Sequence, residues 1–554
     1  MNNNNNNRII VCVLVVLALL MSISVPNASA LVIEKSLKDM TIESDNIITG
    51  KVINKESYWE NGKIFTDVTV SVGQNIKGKP ENKILVQVSG GVVGDIYAQV
   101  SDVPLFEDNE EVLLFLKGNQ VVGWNQGKYT IQNDKVKEND ESVTEFIHNI
   151  KQNLQVSAEN EKKEVDISIA SEKLDPGYAI TSKAPHITKV TPNSGPAKAL
   201  LLGSTTAAAN STQITITGSN FGSLEGGVKF WRVGTISYDA TIVSWTDTKI
   251  VAKVPGGISS HFKPDRTGNI RIIKNDGTPS DNYGRFRVTY SYNGARWPGS
   301  SVTYKINPNT PDTAGELAAV QAAANMWNSA GANFEFKYGG LSKKTSVSKD
   351  GENSIIWVNY NTGSIATTTT YWNKTDFNNI IENDMELNDL TLDWGTDGSL
   401  TRMDVQTIAT HELGHFLGFA DMYGTADNVK IMNGYGTEGN IKRKLTTDDI
   451  SGIRGIYGSN SITVKYPNGQ ETWVRGKAYT MKWNYNGNPG TNVKIQLLKN
   501  GLVVGVVTSS TPNDGSYDWT VPSRRTPGID YKIRVTSTSN STYKDTSNNN
   551  FTIE

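Results

Sequence analysis

Cysteine is nearly absent. Cys12 is the only one in 554 residues, and it lies inside the apolar run IIVCVLVVLALLMSI at 9–23. Once that run is removed, no disulfide can brace the rest, so packing or metal must hold any domain outside the cell. Histidine is scarce too: His148, His186, His261, His411 and His415 are the full set of five. No apolar run reaches the ~20 residues needed to cross a bilayer, since 9–23 supplies only about 15. Charge of one sign is also lacking, with a net charge of −2, which gives no reason to expect a nucleic-acid or polyanion partner.

The short apolar run has its own logic. Arg8 precedes it and Ala28-Ser29-Ala30 follows with small residues at alternate positions. This is the layout of a signal peptide, 1–30, cut after Ala30, and it predicts a secreted, extracellular protein without a membrane span. The Asn2–Asn7 tract suggests no role. A chain of this length is too long for one core and implies about three to five domains.

Past residue 30, strand signals dominate. IITGKVINKESYW, KIFTDVTVSVG, KILVQVSG and EEVLLFLKG alternate apolar and polar residues or form short apolar runs, with Asn61-Gly62 and Gly118-Asn119 at the turns. This predicts a small antiparallel barrel over 31–154, ended by a helix at 141–154. It resembles β-barrel modules of the oligonucleotide/oligosaccharide-binding type. Residues 155–185 are charged, then contain Pro and Gly, and are expected to form a linker. From 186 to 290, HITKVTPNSGPA, QITITGSNFG, ATIVSWTDTKIVAKVPGG and FRVTY resemble an IPT/TIG domain, which implies an immunoglobulin-like sandwich. ITVKYPNGQETWVRGKAYTMKWNY and its continuation through 554 resemble a Ser-Thr-rich, Ig-like module over 459–554. Trp473, Trp483 and Trp519 there fit either a sandwich core or a sugar-binding platform. Asn210, Asn373, Asn540 and Asn550 head glycosylation sequons. The β modules are open to binding a surface protein or glycan.

Only 291–458 carries long helical patterns. In AGELAAVQAAANMWNSA, Leu317, Val320, Ala324 and Trp327 share a face. In DVQTIATHELGHFLGF, Asp404 is placed to cap the helix. His411 and His415, four apart, lie nearly one above the other and can grip one ion. Glu412 lies beside them as a candidate general base. Gly418 lets the helix end, so that residue 421 turns back toward the metal. No third histidine exists in this segment, so an oxygen ligand must complete a zinc site. Asp421 is the favoured candidate, with Asp427 and Glu438 as alternatives. Met432, in KIMNGYG, fits an apolar floor under the metal. Tyr435 is open to assisting an oxyanion or simply to packing.

These residues together resemble a matrixin-type metallopeptidase of the metzincin clan: the A-x-x-x-W helix, M-E-L-N, HELGHFLGF, the Met-turn and D-D-I-x-G-I-x-x-I-Y-G. Asp421 departs from the commoner third histidine and is similar to snapalysin-type enzymes. The implied fold is multidomain, with an α/β (α+β) metzincin catalytic domain flanked by all-β modules. The implied activity is a zinc endopeptidase acting on proteins or peptides. One Zn²⁺ on His411, His415 and Asp421 would activate a water, and Glu412 would serve as general base and then acid. The resemblance also implies an edge strand, assigned to 380–388, that holds an extended substrate. The histidines for a second, structural zinc are lacking, whereas Asp384, Asp389, Asp393 and Asp397 leave structural calcium open. No cysteine remains to cap the zinc, as happens in some zinc-protease precursors. An inhibitory role for 31–150 predicts a cut within 156–185 and higher activity after it. The rival reading is a surface adhesin with a catalytically silent metzincin-like domain.

Overall fold

The computed structural model describes residues 32–554, except 80, 139–140, 160–183, 199–211, 232–236, 257–268, 360–363, 374–375 and 391. The expected leader, most of the expected linker and the Asn210 sequon therefore lie outside the described residues. Among those described, no helix is long and apolar enough to cross a membrane.

The chain is mostly strand. Near its start, Asn46–Glu60 and Lys63–Lys77 form a long hairpin, extended by Lys83–Ser89 on one side and Glu111–Lys117 on the other. The sheet curls back on itself: Gln87 N donates to Asn119 O at 2.9 Å, in the turn where Gln120–Val121 folds onto Glu111–Lys117. The alternation in EVLLFLK explains how both faces are used. Val112, Leu114 and Leu116 point into one core, while Leu113 and Phe115 point into a second. That second core is covered by the helices Leu37–Glu43 and Val143–Glu159. The first helix is not evident from apolar spacing. Its start is set by a capping box in which Ser36 accepts from Asp39 N while Asp39 reaches back to Ser36 N.

Two further regions are sheet on sheet. One joins His186–Thr191, Gln213–Ser219, Lys249–Lys253 and Thr241–Trp245 in one sheet. It faces Ser237–Asp239, Gly227–Trp231, Asn269–Ile273 and Tyr283–Arg285 across a core that includes Ile214, Phe221, Phe230 and Ile272. The other buries Trp473 and Trp483 beside Tyr531 and Phe551, with Trp519 packed against them. Trp473 stacks on Tyr479 at 4.9 Å and Trp483 Nε1 donates to Asn513 Oδ1 at 2.7 Å. Trp473 and Trp483 serve the core, and Trp519 packs against it half-buried.

The helical segment is built on a mixed sheet. Glu335–Leu341, Ser301–Asn307, Asn353–Val358 and Asp376–Asn388 run parallel, and Ala366–Asn373 then pairs antiparallel with the last of these. The expected edge strand, 380–388, is therefore interior, with a strand on each side. The edge belongs to Ala366–Asn373, whose ATTTTYWN offers no apolar alternation to betray it. Even this edge is covered. Ile96–Val100, from the N-terminal region, pairs antiparallel along it, followed by Gly91–Val93. Helices Glu316–Asn328 and Val405–Phe416 pack under the sheet, joined where Trp327 Nε1 donates to Thr410 O at 2.7 Å.

Candidate metal centre

Helix Val405–Phe416 begins as its sequence suggests. Asp404 accepts from Thr407 N at 2.9 Å and is clamped by Arg443, which satisfies helix-end donors and fixes the helix position. The helix is buried along almost its whole length, so its polar residues have been drawn out of water for a reason. His411 is 3% exposed, Glu412 0%, His415 6% and Asp421 9%.

The helix stops at Gly418, whose φ of 90° favours glycine; a Cβ there would stand 2.2 Å from Ala295 O. Phe419–Ala420 then pairs with Ser291 and Tyr292 at the end of Arg287–Tyr292. This short ladder aims Asp421 back at the helix. Asp421 Oδ1 lies 3.0 Å from His411 Nε2, and Oδ2 lies 3.4 Å from His415 Nε2. The two Nε2 atoms are 3.1 Å apart.

The outer nitrogens define the tautomers. His411 Nδ1 lies 2.7 Å from Ile431 O, and His415 Nδ1 lies 3.0 Å from Phe419 O. A carbonyl only accepts, so each Nδ1 carries a proton and each neutral ring turns an Nε2 lone pair inward. Two lone pairs and a carboxylate converging at these distances require positive charge among them, from a proton or a cation. Burial holds His411 below the ordinary histidine pKa. Burial also opposes charge on His415, but the Asp421 and Glu412 carboxylates outweigh it and raise the pKa. Asp421 is lowered: burial opposes ionisation, and His415 and His411 prevail. Asp421 Oδ1 and Glu412 Oε1 are sealed from water without a hydrogen-bond donor. Two imidazole nitrogens and a carboxylate, with acceptors left unsatisfied, fit a divalent cation of the zinc type.

Glu412 is held differently. Its Oε2 accepts from Thr368 Oγ1 at 2.6 Å, while Oε1 faces the site, and burial pushes its pKa up to about 7. Among the described residues, His411, Glu412 and His415 form the one group of three metal-capable side chains, with ligand atoms within 4.8 Å of one another. The paired distances to Asp421 and the Thr368 bond separate the roles of the two carboxylates. Asp427 is engaged elsewhere, by Lys430 at 2.8 Å and Gly424 N at 3.1 Å, and Glu438 is exposed.

Met432 lies directly beneath the helix. A Cβ built on Gly414 would stand 2.1 Å from Met432 Sδ and 3.3 Å from Trp327 Cζ2. Gly414→Val should therefore destabilise the fold by about 1–3 kcal/mol. The loss should shrink when Met432→Ala is added, because the two residues contend for one volume. Chemical denaturation of the two singles and the double variant measures both numbers. Tyr435 packs edge-on to Tyr423 at 5.1 Å, and burial raises its pKa.

The four aspartates considered for calcium are not gathered into such a group among the described residues. Asp384 is 1% exposed in an interior strand and accepts from Ser354 N at 2.9 Å. Burial pushes its pKa from 3.8 to about 8. Folded Asp384 keeps a proton that the unfolded chain has released, so stability falls as pH rises from about 4 to about 8. Asp384→Asn keeps the accepting oxygen and should flatten that decline in denaturation midpoints measured across the same pH range.

Three residues at the centre escape sequence reasoning: Thr368, Tyr423 and Asp102. The Tyr423 hydroxyl donates to Asp102 Oδ1 in a short contact, and the Asp102 carboxyl, sealed from water, hydrogen-bonds that of Asp421. Burial and the neighbouring Asp421 charge raise the Asp102 pKa well above the carboxylate range.

Two buried histidines and two carboxylates thus converge on and just beyond one helix beneath a mixed sheet. Residues 296–458 match the family model described as Matrixin, which supports a zinc-dependent metalloendopeptidase. Residues 466–553 match one described as the Kre9/KNH-like N-terminal Ig-like domain. No curated protein matches the chain.

Proposed function

We propose that this chain is a secreted zinc endopeptidase in which His411, His415 and Asp421 hold the ion and Glu412 moves the protons. The observation that carries the reading is the convergence of His411 Nε2, His415 Nε2 and Asp421 within 3.4 Å, with Glu412 Oε1 beside them and free of any donor. Bound zinc would supply Lewis acidity toward a water and a peptide carbonyl.

The chain's own groups do the rest. Ile431 O and Phe419 O keep the two imidazoles in the metal-binding tautomer. Thr368 holds Glu412 Oε2, which leaves Oε1 to take a proton from the attacking water and pass it to the leaving amine. A carboxyl with a pKa of about 7 suits both halves of that task near neutral pH. Met432 supplies an apolar floor, and Tyr435 packs against Tyr423 beside the centre. An extended substrate would lie along Ala366–Asn373, the true edge of the sheet.

The residues before the linker are read as a small barrel with two outer helices, and those at 186–290 as an IPT/TIG-like sandwich. The latter delivers Arg287–Tyr292 to the metal centre, where Lys430 donates to Thr289 O at 2.8 Å and pairs with Asp448 at 3.1 Å. The apolar run at 9–23 with Ala28-Ser29-Ala30 supports export. Structural calcium has no support beyond the acidic composition. An intact Glu412 with a dedicated hydroxyl partner gives no support to a silent, adhesive domain.

The test is elemental analysis of the chain from Leu31, with cleavage of an unstructured protein measured before and after limited proteolysis. One zinc per chain and Glu412-dependent cleavage in either state sustains the proposal. Absence of zinc overturns it.

A further inference from the structure

Cations drawn partly out of water in the catalytic segment commonly meet a carboxylate. Arg443 holds Asp404, Lys430 pairs with Asp427 and Asp448, and Lys349 pairs with Glu382. Lys442 does not follow them. It is half-buried, and among the described residues no carboxylate pairs with it. Its Nζ donates only a long contact of 3.5 Å, to Asn433 Oδ1. Asp449, whose charge reaches it, is engaged elsewhere: it accepts from Thr446 N at 2.8 Å, Thr446 Oγ1 at 2.7 Å and Ile431 N at 3.3 Å. Burial pulls the Lys442 pKa down to about 8, so at neutral pH the group is still an ammonium.

The backbone fixes where this charge stands. Lys442 N donates to Thr407 Oγ1 at 2.9 Å, in the first turn of the helix that carries His411, and the neighbouring Arg443 clamps Asp404. Lys442 lines a small cavity of about 20 Å³ together with Thr407, Ile408, His411, Asn433 and Tyr435. Apart from Ile408, Ile431 and Gly436, every lining residue carries a polar side chain. A space of that size is about what one water needs. It takes the tip of a short side chain and excludes an aromatic ring. His411 is both a wall of this cavity and a candidate metal ligand. A substrate side chain seated there therefore belongs to a residue next to the bond that is cut.

We infer that Lys442 is a specificity residue, which receives the carboxylate of an acidic side chain, aspartate ahead of glutamate, on a residue flanking the scissile bond. A half-buried ammonium without a counter-ion raises the free energy of the unliganded protein. An incoming carboxylate relieves that cost with a charge-assisted hydrogen bond. An apolar side chain leaves the charge unpaired, and a basic one is repelled, so both are selected against. The inference rests on the peptidase reading for the bond that is cut, and on the cavity's own residues for the charge it selects.

The experiment has two arms, both on the full chain before and after limited proteolysis. In the first, cut sites in a mixture of unstructured proteins are mapped by mass spectrometry for wild type, Lys442→Arg and Lys442→Met. Wild type should cut beside Asp or Glu about 10- to 100-fold more efficiently than beside Asn or Gln, the range of one hydrogen bond to a charged group. Lys442→Arg should keep the preference and Lys442→Met should lose it. In the second arm, Glu412→Gln protein is titrated with two randomised hexapeptide pools that differ only in a fixed central Asp or Asn. Fluorescence polarisation should show tighter binding of the Asp pool, and adding Lys442→Met should erase the difference. The denaturation midpoint of Lys442→Met should be unchanged or raised, since methionine fills the same length without a charge to bury.

Cutting without an acidic preference, or a preference that survives Lys442→Met, overturns the inference and leaves the peptidase standing. So does a clearly lowered midpoint for Lys442→Met, which would make the lysine a structural element. If no protein is cut in either state, the peptidase reading falls and binding alone decides. Equal binding of the two pools, or none, then overturns the inference as well. An Asp preference that Lys442→Met erases would keep the carboxylate-binding cavity without the peptidase.

Discussion

Glu412→Gln should lower kcat for cleavage of an unstructured protein on the order of 10²- to 10⁴-fold while zinc content stays at one per chain. The two halves of this result come from different atoms. Glutamine is nearly the same size and keeps an oxygen that can accept from Thr368 Oγ1, where Glu412 Oε2 now sits at 2.6 Å. The fully buried side chain therefore stays in place and the helix is undisturbed. What glutamine cannot do is take a proton at the free oxygen, the step for which burial has moved the carboxyl to about 7. His411, His415 and Asp421 are untouched, so metal binding should be unchanged. A Glu412→Gln protein that keeps its zinc and cleaves as fast as its parent would sink the assignment of Glu412 as the proton carrier.

Much of the centre is legible in the sequence because it is local. Two histidines four apart share a helix face whatever the rest of the chain does, and a glycine three residues on announces the turn. An oxygen ligand follows by elimination, since only five histidines exist and none of the others falls in the helical segment; Asp421 is favoured over Asp427 and Glu438 because it stands where the family resemblance places the third ligand. Met432 is legible as an apolar residue in a turn at a suitable distance. The parts that cannot be read are those made by pairing between distant segments. Asp102 reaches Tyr423 across 321 residues of chain, and nothing in SDVP marks its destination. Thr368 sits in a run of threonines that looks like an exposed strand. It is buried because strands cover it on both sides and the helix carrying Glu412 packs beneath it.

The misplaced edge shows the same limit from another direction. The stretch at 380–388 has the clearer strand pattern, and so it attracts the substrate-binding role. Position within a sheet is not a property of one strand's composition, however. It depends on which strands arrive beside it, and Ala366–Asn373 arrives on the side that would otherwise face the cleft. The buried threonines of that strand are explained once Ile96–Val100 is added. What looks like an odd polar core is a sheet edge with its partner in place.

Asp421→Ala should weaken zinc binding by at least about 100-fold, beyond the 10- to 100-fold that loss of a supporting outer residue costs, whereas Asp421→His should retain it. Distance and charge decide both outcomes. Carboxylate oxygen and imidazole nitrogen both bind zinc at about 2.0–2.2 Å, so a histidine placed where Phe419–Ala420 ends can supply the third donor that alanine removes. The alanine variant leaves two inward lone pairs, on His411 and His415, and takes away the negative charge 3.0 Å from one of them. Competition with a chromophoric chelator reads both affinities on the full chain. Asp427→Ala and Glu438→Ala are the necessary companions. Asp427 is occupied by Lys430 and by the backbone of Gly424, so its loss should disturb the loop without touching zinc. Glu438 stands exposed, whereas the histidine pair is buried. If either of those variants released the metal while Asp421→Ala held it, the ligand would have been assigned to the wrong carboxylate. The short ladder between Phe419–Ala420 and Ser291–Tyr292 would then have some other purpose. If Asp421→Ala alone releases it, that ladder gains a chemical meaning. The strand Arg287–Tyr292, which joins the preceding sandwich to the catalytic segment, then steers the third ligand.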